Sequence, residues 1–172
     1  MVKALEAKIR AIPDFPKPGI LFRDITPLVA DPSALKLAVS ELIAPFRGDS
    51  LDAVAGMEAR GFIFGSIAAW ELGVAFVPLR KPGKLPFEVQ TETYELEYGS
   101  ASLEIHTDAV KPGDRVLLMD DLIATGGTAA ASCQLLEKMG AVVVGCAFLI
   151  ELDALKGRER LAHRQVHTLL HF

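Results

Sequence analysis

Residues 116–128 have the sequence VLLMDDLIATGGT, in which an apolar run is followed by two acids and a glycine-rich turn. The run from Val116 to Met119 is typical of a fully buried strand, and the residues after Gly126 are typical of the start of a helix. A buried strand that passes through a short turn into a helix is the repeating unit of a parallel sheet. This stretch therefore predicts an α/β fold.

The same alternation recurs along the rest of the chain. We predict helices over residues 3–11, 32–46, 61–72 and 127–139, and strands over 51–56, 74–80, 115–120, 141–151 and 166–172. Such a pattern forms a mainly parallel sheet flanked by helices, with ligands at the carboxyl ends of the strands. Because 172 residues is the length of one domain, we expect residues 1–172 to form a single domain.

Residues 81–105 interrupt this alternation. The loop at 81–86 contains two prolines and a glycine, which fit neither a helix nor a central strand. Residues 89–98 and 101–105 are rich in strand-forming residues and are separated by Gly99 and Ser100, which predicts a β-hairpin. We expect residues 81–105 to form a flexible lid over a site.

Charge and composition argue against several classes of protein. The net charge of −4 disfavours a nucleic-acid-binding protein, which needs a broad basic face. The longest apolar run, residues 141–150, is about half of the roughly 20 residues that a membrane-spanning helix needs, and the amino terminus lacks the apolar core of a signal peptide. Cys133 and Cys146 match neither a disulfide framework nor a zinc site, so we expect reduced core residues. The sequence thus predicts a cytoplasmic protein without a nucleic-acid or membrane partner.

The turn after the two acids has the chemistry of an anion site. Gly126 and Gly127 let the backbone turn sharply and approach a ligand, while free N–H groups at the helix start and the hydroxyls of Thr125 and Thr128 suit a phosphate. The adjacent carboxylates suit a different task, since they can accept hydrogen bonds from sugar hydroxyls or hold the waters of a Mg²⁺ ion. The stretch therefore predicts a sugar-phosphate site. A solvated strand end followed by an ordinary capped turn is the alternative.

The whole element resembles the phosphoribosyl pyrophosphate (PRPP) signature of the type I phosphoribosyltransferases. It has neither the lysine of a Walker P-loop nor the glycine spacing of a dinucleotide fingerprint. The resemblance implies a ribose and phosphate site made of Asp120, Asp121, Ala124, Thr125, Gly126, Gly127 and Thr128. A second element, GMEARGF at residues 56–62, resembles the pyrophosphate loop of the same family, in which Arg60 can offer two donors to phosphate oxygens. A solvated arginine in a strand-helix turn is the alternative.

Further segments resemble the members of this family that use adenine as the base, and the resemblance covers essentially the whole chain. These segments are residues 14–27, 80–86 and 94–99. The resemblance implies transfer of the 5-phosphoribosyl group from PRPP to adenine, which gives AMP and pyrophosphate, with Mg²⁺ carried mainly by the diphosphate. It implies that Leu21, Arg23 and Leu152 surround adenine. Core packing is the alternative role for the two leucines.

Basic residues and one glutamate complete the site that the resemblance implies. Arg80, Lys81 and Lys84 match family positions near the pyrophosphate, with a solvated basic loop as the alternative. Phe87 departs from the pattern, because many relatives have a basic residue there, and this weakens the case for a phosphate contact at that position. Glu97 matches the family glutamate that handles the adenine proton, a task that a raised pKa in a closed site would suit. A surface charge on the hairpin is the alternative for Glu97.

The resemblance also implies a homodimer, and two other functions stay open. One is an enzyme of the same class that uses guanine or hypoxanthine. The other is a PRPP-sensing regulator that kept the phosphate site and lost catalysis. The joint presence of Arg60, Lys81 and Glu97 favours an enzyme, since a regulator would more plausibly carry a basic nucleic-acid face.

Overall fold

A five-stranded parallel sheet forms the centre of the protein, in a computed structural model that describes residues 2–95 and 99–172. In spatial order its strands are β4 (Ala75–Leu79), β3 (Ala53–Met57), β7 (Arg115–Ile123), β8 (Val142–Glu151) and β9 (Gln165–His171). Every neighbouring pair is parallel, so the carboxyl ends of all five strands lie along one edge. The predicted α/β fold class is confirmed.

Three helices of 12 residues cover the sheet: α3 (Pro32–Ile43), α4 (Gly61–Leu72) and α5 (Gly127–Lys138). The Asp31 carboxylate caps α3 by accepting hydrogen bonds from two backbone N–H groups, and Gly73 ends α4 with a φ of 69°. Shorter helical segments are α1 (Val2–Glu6), α2 (Thr26–Val29) and the 3₁₀ turns Ala44–Phe46, Asp153–Leu155 and Gly157–Leu161. None of the described helices combines the length and apolar character needed to cross a bilayer.

The two faces of the sheet bury two separate cores, because successive side chains of a strand point to opposite faces. Leu117 and Met119 of β7 pack in the core that includes α3 and α4. Val116 and Leu118 of the same strand pack in the core that includes α5. All four side chains are fully buried, which explains the unbroken apolar run of this strand.

The predicted hairpin is present and packs on the α5 side of the sheet. Its strands are β5 (Val89–Glu95) and β6 (Ser100–His106), which pair antiparallel. Leu103 and Ile105 of β6 are buried in the same core as α5. The root of the hairpin is therefore fixed by apolar burial, and a movement of the lid stays a prediction that concerns the remainder of residues 81–105.

The helix that we predicted over residues 3–11 is wrong in its second half. The helix ends at Glu6, and β1 (Arg10–Pro13) instead pairs antiparallel with β2 (Leu21–Asp24). A helix this short gains few hydrogen bonds for the residues that it orders, whereas pairing with β2 completes a ladder. The Arg10 guanidinium also lies 3.4 Å from the Asp24 carboxylate across that ladder.

The strand predicted at 115–120 is longer than expected. It continues to Ile123, because β8 is long enough to pair with it up to Glu151. Asp120 and Asp121 therefore belong to the strand, and the turn to α5 begins only after Ile123. The two acids are held by the sheet instead of following it.

We predict that Gly145→Ala destabilises the protein by about 1–3 kcal/mol, because a core without space must distort to accept a methyl group. A Cβ atom at Gly145 would overlap the Phe46 ring and lie 3.1 Å from the Gln165 carbonyl oxygen. Urea denaturation measures the change. Gly48→Ala is the matched control, since a Cβ atom there meets nothing within 4 Å. Equal denaturation midpoints for the two variants would contradict the prediction.

Candidate functional site

A cleft of about 430 Å³ opens at the carboxyl edge of the sheet. Its walls are the end of β7 with the loop that follows, the end of β3, the start of the loop after Arg80, and the facing residues of the hairpin. Strands β3 and β7 are direct neighbours, which is why two loops far apart in sequence meet here. The cleft lies where ligands bind in parallel α/β sheets.

The floor of the cleft is the turn that leads into α5, which we call the cradle (residues 124–128). Ala124, Thr125, Gly126, Gly127 and Thr128 all line the cleft, as the sequence predicted for one site. Gly126 is the N-cap of α5, with a φ of 78° and no side chain to cap the helix. The first N–H groups of α5 are therefore available to an anion together with the positive end of the helix dipole.

A glycine contact supports the cradle from behind. A Cβ atom on Gly126 would overlap the carbonyl oxygen of Gly157, and one on Gly157 would lie 2.9 Å from the backbone nitrogen of Gly126. The 3₁₀ turn that contains Gly157 thus lies against the cradle backbone. The sequence analysis missed Gly157, and the only signal was a glycine in a segment for which we predicted no element.

Arg158 fixes this supporting turn to the sheet. Its guanidinium donates two hydrogen bonds to the Glu151 carboxylate, at 3.1 and 2.6 Å, and one to the Val166 carbonyl oxygen at 2.9 Å. The Arg158 guanidinium holds the pKa of the Glu151 carboxyl below its usual range, and Thr168 adds to the effect. The cradle therefore depends on a charged anchor one strand away.

The two adjacent acids of β7 occupy different environments. Asp121 is buried, and its Oδ2 lies 2.5 Å from Arg60 Nε, without the alignment of a hydrogen bond. Asp120 is half-buried and lines the cleft, where its Oδ1 accepts a hydrogen bond from the Asp121 N–H at 2.8 Å. Burial raises the pKa of the Asp120 carboxyl well above its usual range, and the charge of Asp121 raises it further.

Arg60 lies at the start of α4, in the loop after β3. Its guanidinium stands over the Phe22 ring at 5.4 Å while Nε faces Asp121. The side chain keeps 45% of its surface exposed, so its outer donors are free for a ligand. Close approach of α4 to Asp120 requires Gly61, where a Cβ atom would lie 2.9 Å from Asp120 Oδ1.

Glu58 organises the basic loop and was missed by the sequence analysis. Its Oε2 accepts hydrogen bonds from Arg80 Nε at 3.1 Å and from the Lys81 backbone N–H at 2.9 Å. Arg80 also donates to the Lys84 carbonyl oxygen at 3.1 Å. Of the three predicted basic residues only Lys81 lines the cleft, while Arg80 is held by the loop and the Lys84 side chain lies outside the lining. A glutamate in a strand-helix turn gave no signal of this role.

The three residues predicted around the base lie outside the lining of the cleft. The Arg23 guanidinium stacks 3.9 Å from the centre of the Phe172 ring, and the Phe172 carbonyl accepts a hydrogen bond from the N–H that follows Leu152. Leu152 is partly buried against the α3–α4 core, and Leu21 is 48% exposed. Phe172, which the sequence did not single out, therefore contacts Arg23 and the backbone of Asp153, the residue after Leu152.

Glu97, the predicted proton-handling residue, lies outside the described residues. The nearest described residue before it is Glu95, which is exposed at the end of β5. Tyr94, one position further back, lines the cleft and faces the cradle. Its phenol oxygen lies 3.1 Å from Thr128 Oγ1, a contact that alternation along a hairpin could not reveal.

The fold and the cleft are those of a phosphoribosyltransferase domain, because residues 29–168 match the family model of the phosphoribosyl transferase domain. The chain is 71% identical to the adenine phosphoribosyltransferase of Methylococcus capsulatus over 168 residues, which cover 98% of each chain. The structure of adenine phosphoribosyltransferase from Rhodothermus marinus superposes with a TM-score of 0.96 at 53% identity, covering 99% of this chain and 98% of that one.

A third relative carries ligands in its structure. The Saccharomyces cerevisiae adenine phosphoribosyltransferase, in complex with adenine and an imino-altritol bisphosphate, superposes with a TM-score of 0.92 at 42% identity, covering 98% of each chain. This chain belongs to the adenine phosphoribosyltransferase family.

We predict that Asp120→Asn raises the thermal unfolding midpoint by a few degrees at pH 7. A carboxyl whose pKa is raised by folding opposes folding when it is ionised, and the asparagine removes that charge. The advantage should shrink as the pH falls through the raised folded-state pKa and vanish below the unfolded value of about 3.8. Scanning calorimetry between pH 3 and pH 7, roughly the span over which a carboxyl with a raised pKa ionises, measures it.

Asp108→Asn is the control for this measurement, because Asp108 is exposed in the turn after β6. Its midpoint should follow the wild type at every pH. An Asp120→Asn protein that is less stable than wild type at pH 7 would contradict the prediction.

Proposed function

We propose that the protein transfers the 5-phosphoribosyl group of PRPP to adenine, which releases AMP and pyrophosphate, and so serves purine salvage. One observation carries the proposal: the loop after β3 that contains Arg60 reaches the same cleft as the cradle after β7, through Glu58, while Arg60 itself lies outside the lining of the cleft. The chemistry of PRPP requires two such anion sites, one for each end of the ribose. The family to which the chain belongs supports adenine as the acceptor.

We propose that the cradle binds the 5-phosphate and that Asp120 and Asp121 position the ribose. The support is the free helix start at Gly126 and the threonine hydroxyls beside it. A carboxylate accepts hydrogen bonds from ribose hydroxyls, and Asp120 lines the cleft directly next to the cradle. Asp121 acts more indirectly, since it is buried and faces Arg60. Their main effect would be to hold C1 in line between base and leaving group.

We assign the leaving pyrophosphate to Arg60, Arg80, Lys81 and Lys84. Breaking the bond at C1 moves negative charge to the pyrophosphate, so cations placed before the reaction stabilise the transition state. Lys81 lines the cleft, and Arg60 keeps a half-exposed guanidinium above Asp121. Arg80 would contribute by shaping the loop, given its hydrogen bonds to Glu58 and to the Lys84 carbonyl.

The oxygen donors of the cleft fit Mg²⁺. Asp120 offers a carboxylate at the wall of the cleft, whereas Asp121 Oδ2 lies outside the lining and faces Arg60. We propose that Mg²⁺ arrives on the diphosphate, with Asp120 as the carboxylate nearest to it. When bound, Mg²⁺ supplies positive charge that neutralises the diphosphate oxygens.

We propose that Leu21, Arg23 and Leu152 form the base site and that Glu97 exchanges a proton with adenine. The support is that the Arg23 guanidinium stacks on the Phe172 ring, whose carbonyl oxygen accepts a hydrogen bond from the N–H that follows Leu152, so Arg23 and Leu152 lie in one region. Adenine must lose its N9 proton as the bond to C1 forms, and a carboxylate on a closing hairpin can provide the exchange. Closure would also keep water from capturing the sugar.

We further propose a cytoplasmic homodimer. Cys133 and Cys146 are buried free thiols with sulfurs 3.7 Å apart, which suits a reducing compartment. Trp70 is 83% exposed on α4, an unusual position for a tryptophan unless another surface covers it. Light scattering of the purified protein gives the oligomeric state.

Turnover with separate purine bases tests the proposed function. The protein is incubated with PRPP, Mg²⁺ and one base at a time, while nucleotide and pyrophosphate are quantified. We expect AMP and pyrophosphate in equal amounts with adenine, and little product with guanine or hypoxanthine. Turnover with hypoxanthine but not adenine would overturn the specificity. PRPP binding without turnover on any base would instead identify a sensor.

We predict that Glu97→Gln lowers kcat by about 100-fold or more, because positioned proton transfer typically contributes two to four orders of magnitude. The amide keeps the shape of the side chain and removes its basicity. Steady-state kinetics at saturating PRPP and adenine measure the effect. Glu95→Gln is the control, since Glu95 is exposed on the same hairpin and should keep kcat within about two-fold. Equal kcat values for both variants would remove Glu97 from the mechanism.

A further inference from the structure

The residues of the hairpin that the structure describes, 89–95 and 100–106, make two polar contacts with α5. The Tyr94 phenol lies 3.1 Å from Thr128 Oγ1, at the start of the helix. Lys138 forms an ion pair with Glu92 at the other end of the helix. Only the first contact involves the cradle, and both Tyr94 and Thr128 line the cleft. The second contact shares the same two elements without approaching a ligand site, so the two can be separated by mutation.

A bound phosphate determines which of the two hydroxyls, Tyr94 or Thr128, is the donor in their hydrogen bond. A phosphate dianion only accepts hydrogen bonds, so Thr128 must direct its single proton to the phosphate. The Thr128 oxygen then has lone pairs left over, and the Tyr94 hydroxyl can donate to one of them. Hydrogen bonds in such a chain polarise one another, which makes the Thr128 proton a better donor.

The Tyr94 ring also lies against the backbone of the cradle. A Cβ atom placed on Gly127 would lie 3.9 Å from Tyr94 Cδ2, so the ring stands directly beside the backbone of the cradle. Tyr94 itself is partly buried, packed against the α5 core. Its hydroxyl is therefore held in place by apolar packing before any ligand arrives.

We propose that Tyr94 is a positioning residue for the 5-phosphate: it donates to Thr128 Oγ1, which orients the Thr128 proton toward the phosphate. The proposal rests on the assignment of the cradle to the 5-phosphate under the proposed function. Because the bond joins β5 to the cradle, phosphate binding and the Tyr94–Thr128 hydrogen bond stabilise each other, and by linkage each favours the other equally.

Binding of AMP and of adenine to the wild type and to Tyr94→Phe tests the proposal by calorimetry. Tyr94→Phe removes the hydrogen bond to Thr128, the residue that donates to the charged phosphate. This loss should raise the Kd of AMP about 5- to 20-fold. The Kd of adenine, which has no phosphate, should stay within about two-fold, a margin far below one lost hydrogen bond. In turnover, the KM of PRPP should rise by a similar factor while kcat and the KM of adenine change little.

Two further variants separate orientation from mere docking. Lys138→Gln removes the ion pair between Glu92 of the hairpin and α5, and it should leave the Kd of AMP unchanged. Thr128→Val removes the acceptor of the Tyr94 hydroxyl, so the double variant with Tyr94→Phe should bind AMP no more weakly than Thr128→Val alone. Thr128→Ser keeps the hydroxyl and should bind AMP more tightly than Thr128→Val.

The outcomes distinguish the proposals. Equal losses of AMP affinity in Lys138→Gln and Tyr94→Phe would overturn the positioning role, since docking alone would explain both. An unchanged Kd of AMP in Tyr94→Phe, with a weakened Thr128→Val, would also overturn it and leave the phosphate site intact. If the wild type binds adenine but neither AMP nor PRPP, the assignment of the cradle fails, and with it the proposed function.

Discussion

The parallel pairing of β7 with β3 on one side and β8 on the other is the constraint on which the rest of the structure depends. It requires apolar side chains on both faces of β7, since helices cover both. It also fixes the places where the neighbouring strands end. The loops that follow β3 and β7 consequently open on one cleft, although β3 ends at Met57 and β7 only at Ile123.

The carboxylates at the carboxyl edge of the sheet differ in whether a cation neutralises them. Asp121 is buried and faces Arg60. Asp120 faces the cleft, and its ionised form is disfavoured by burial and by the charge of Asp121, which raise its pKa. Arg158 anchors the turn behind the cradle through Glu151. A cation or hydrogen-bond donor that binds beside Asp120 would offset this cost, so part of its binding free energy would come from relief of the repulsion between the Asp120 and Asp121 carboxylates.

Local patterns in the sequence predicted most of the fold. Three signals act on neighbouring residues and can therefore be recognised from the sequence alone: the apolar run of β7, the Asp31 cap of α3 and the glycine after α4. The cradle residues are consecutive in the chain and line one cleft, while their role in binding stays a prediction. Glu58, Gly157, Phe172 and Tyr94 escaped because each acts on a partner distant in sequence. The helix predicted over residues 3–11 failed for a related reason, since the pairing of β1 with β2 overrode local propensity.

The contact between Gly126 and Gly157 has a consequence for how this protein can change. Each backbone occupies the space that a side chain of the other would need, and Gly126 has in addition a left-handed φ of 78°. A bulky residue elsewhere in a core can be rescued by a smaller neighbour. Here the neighbour is already glycine, so no second-site suppressor on the opposite backbone can restore the fit. In a library of random variants, these two positions should tolerate substitution neither singly nor as a pair.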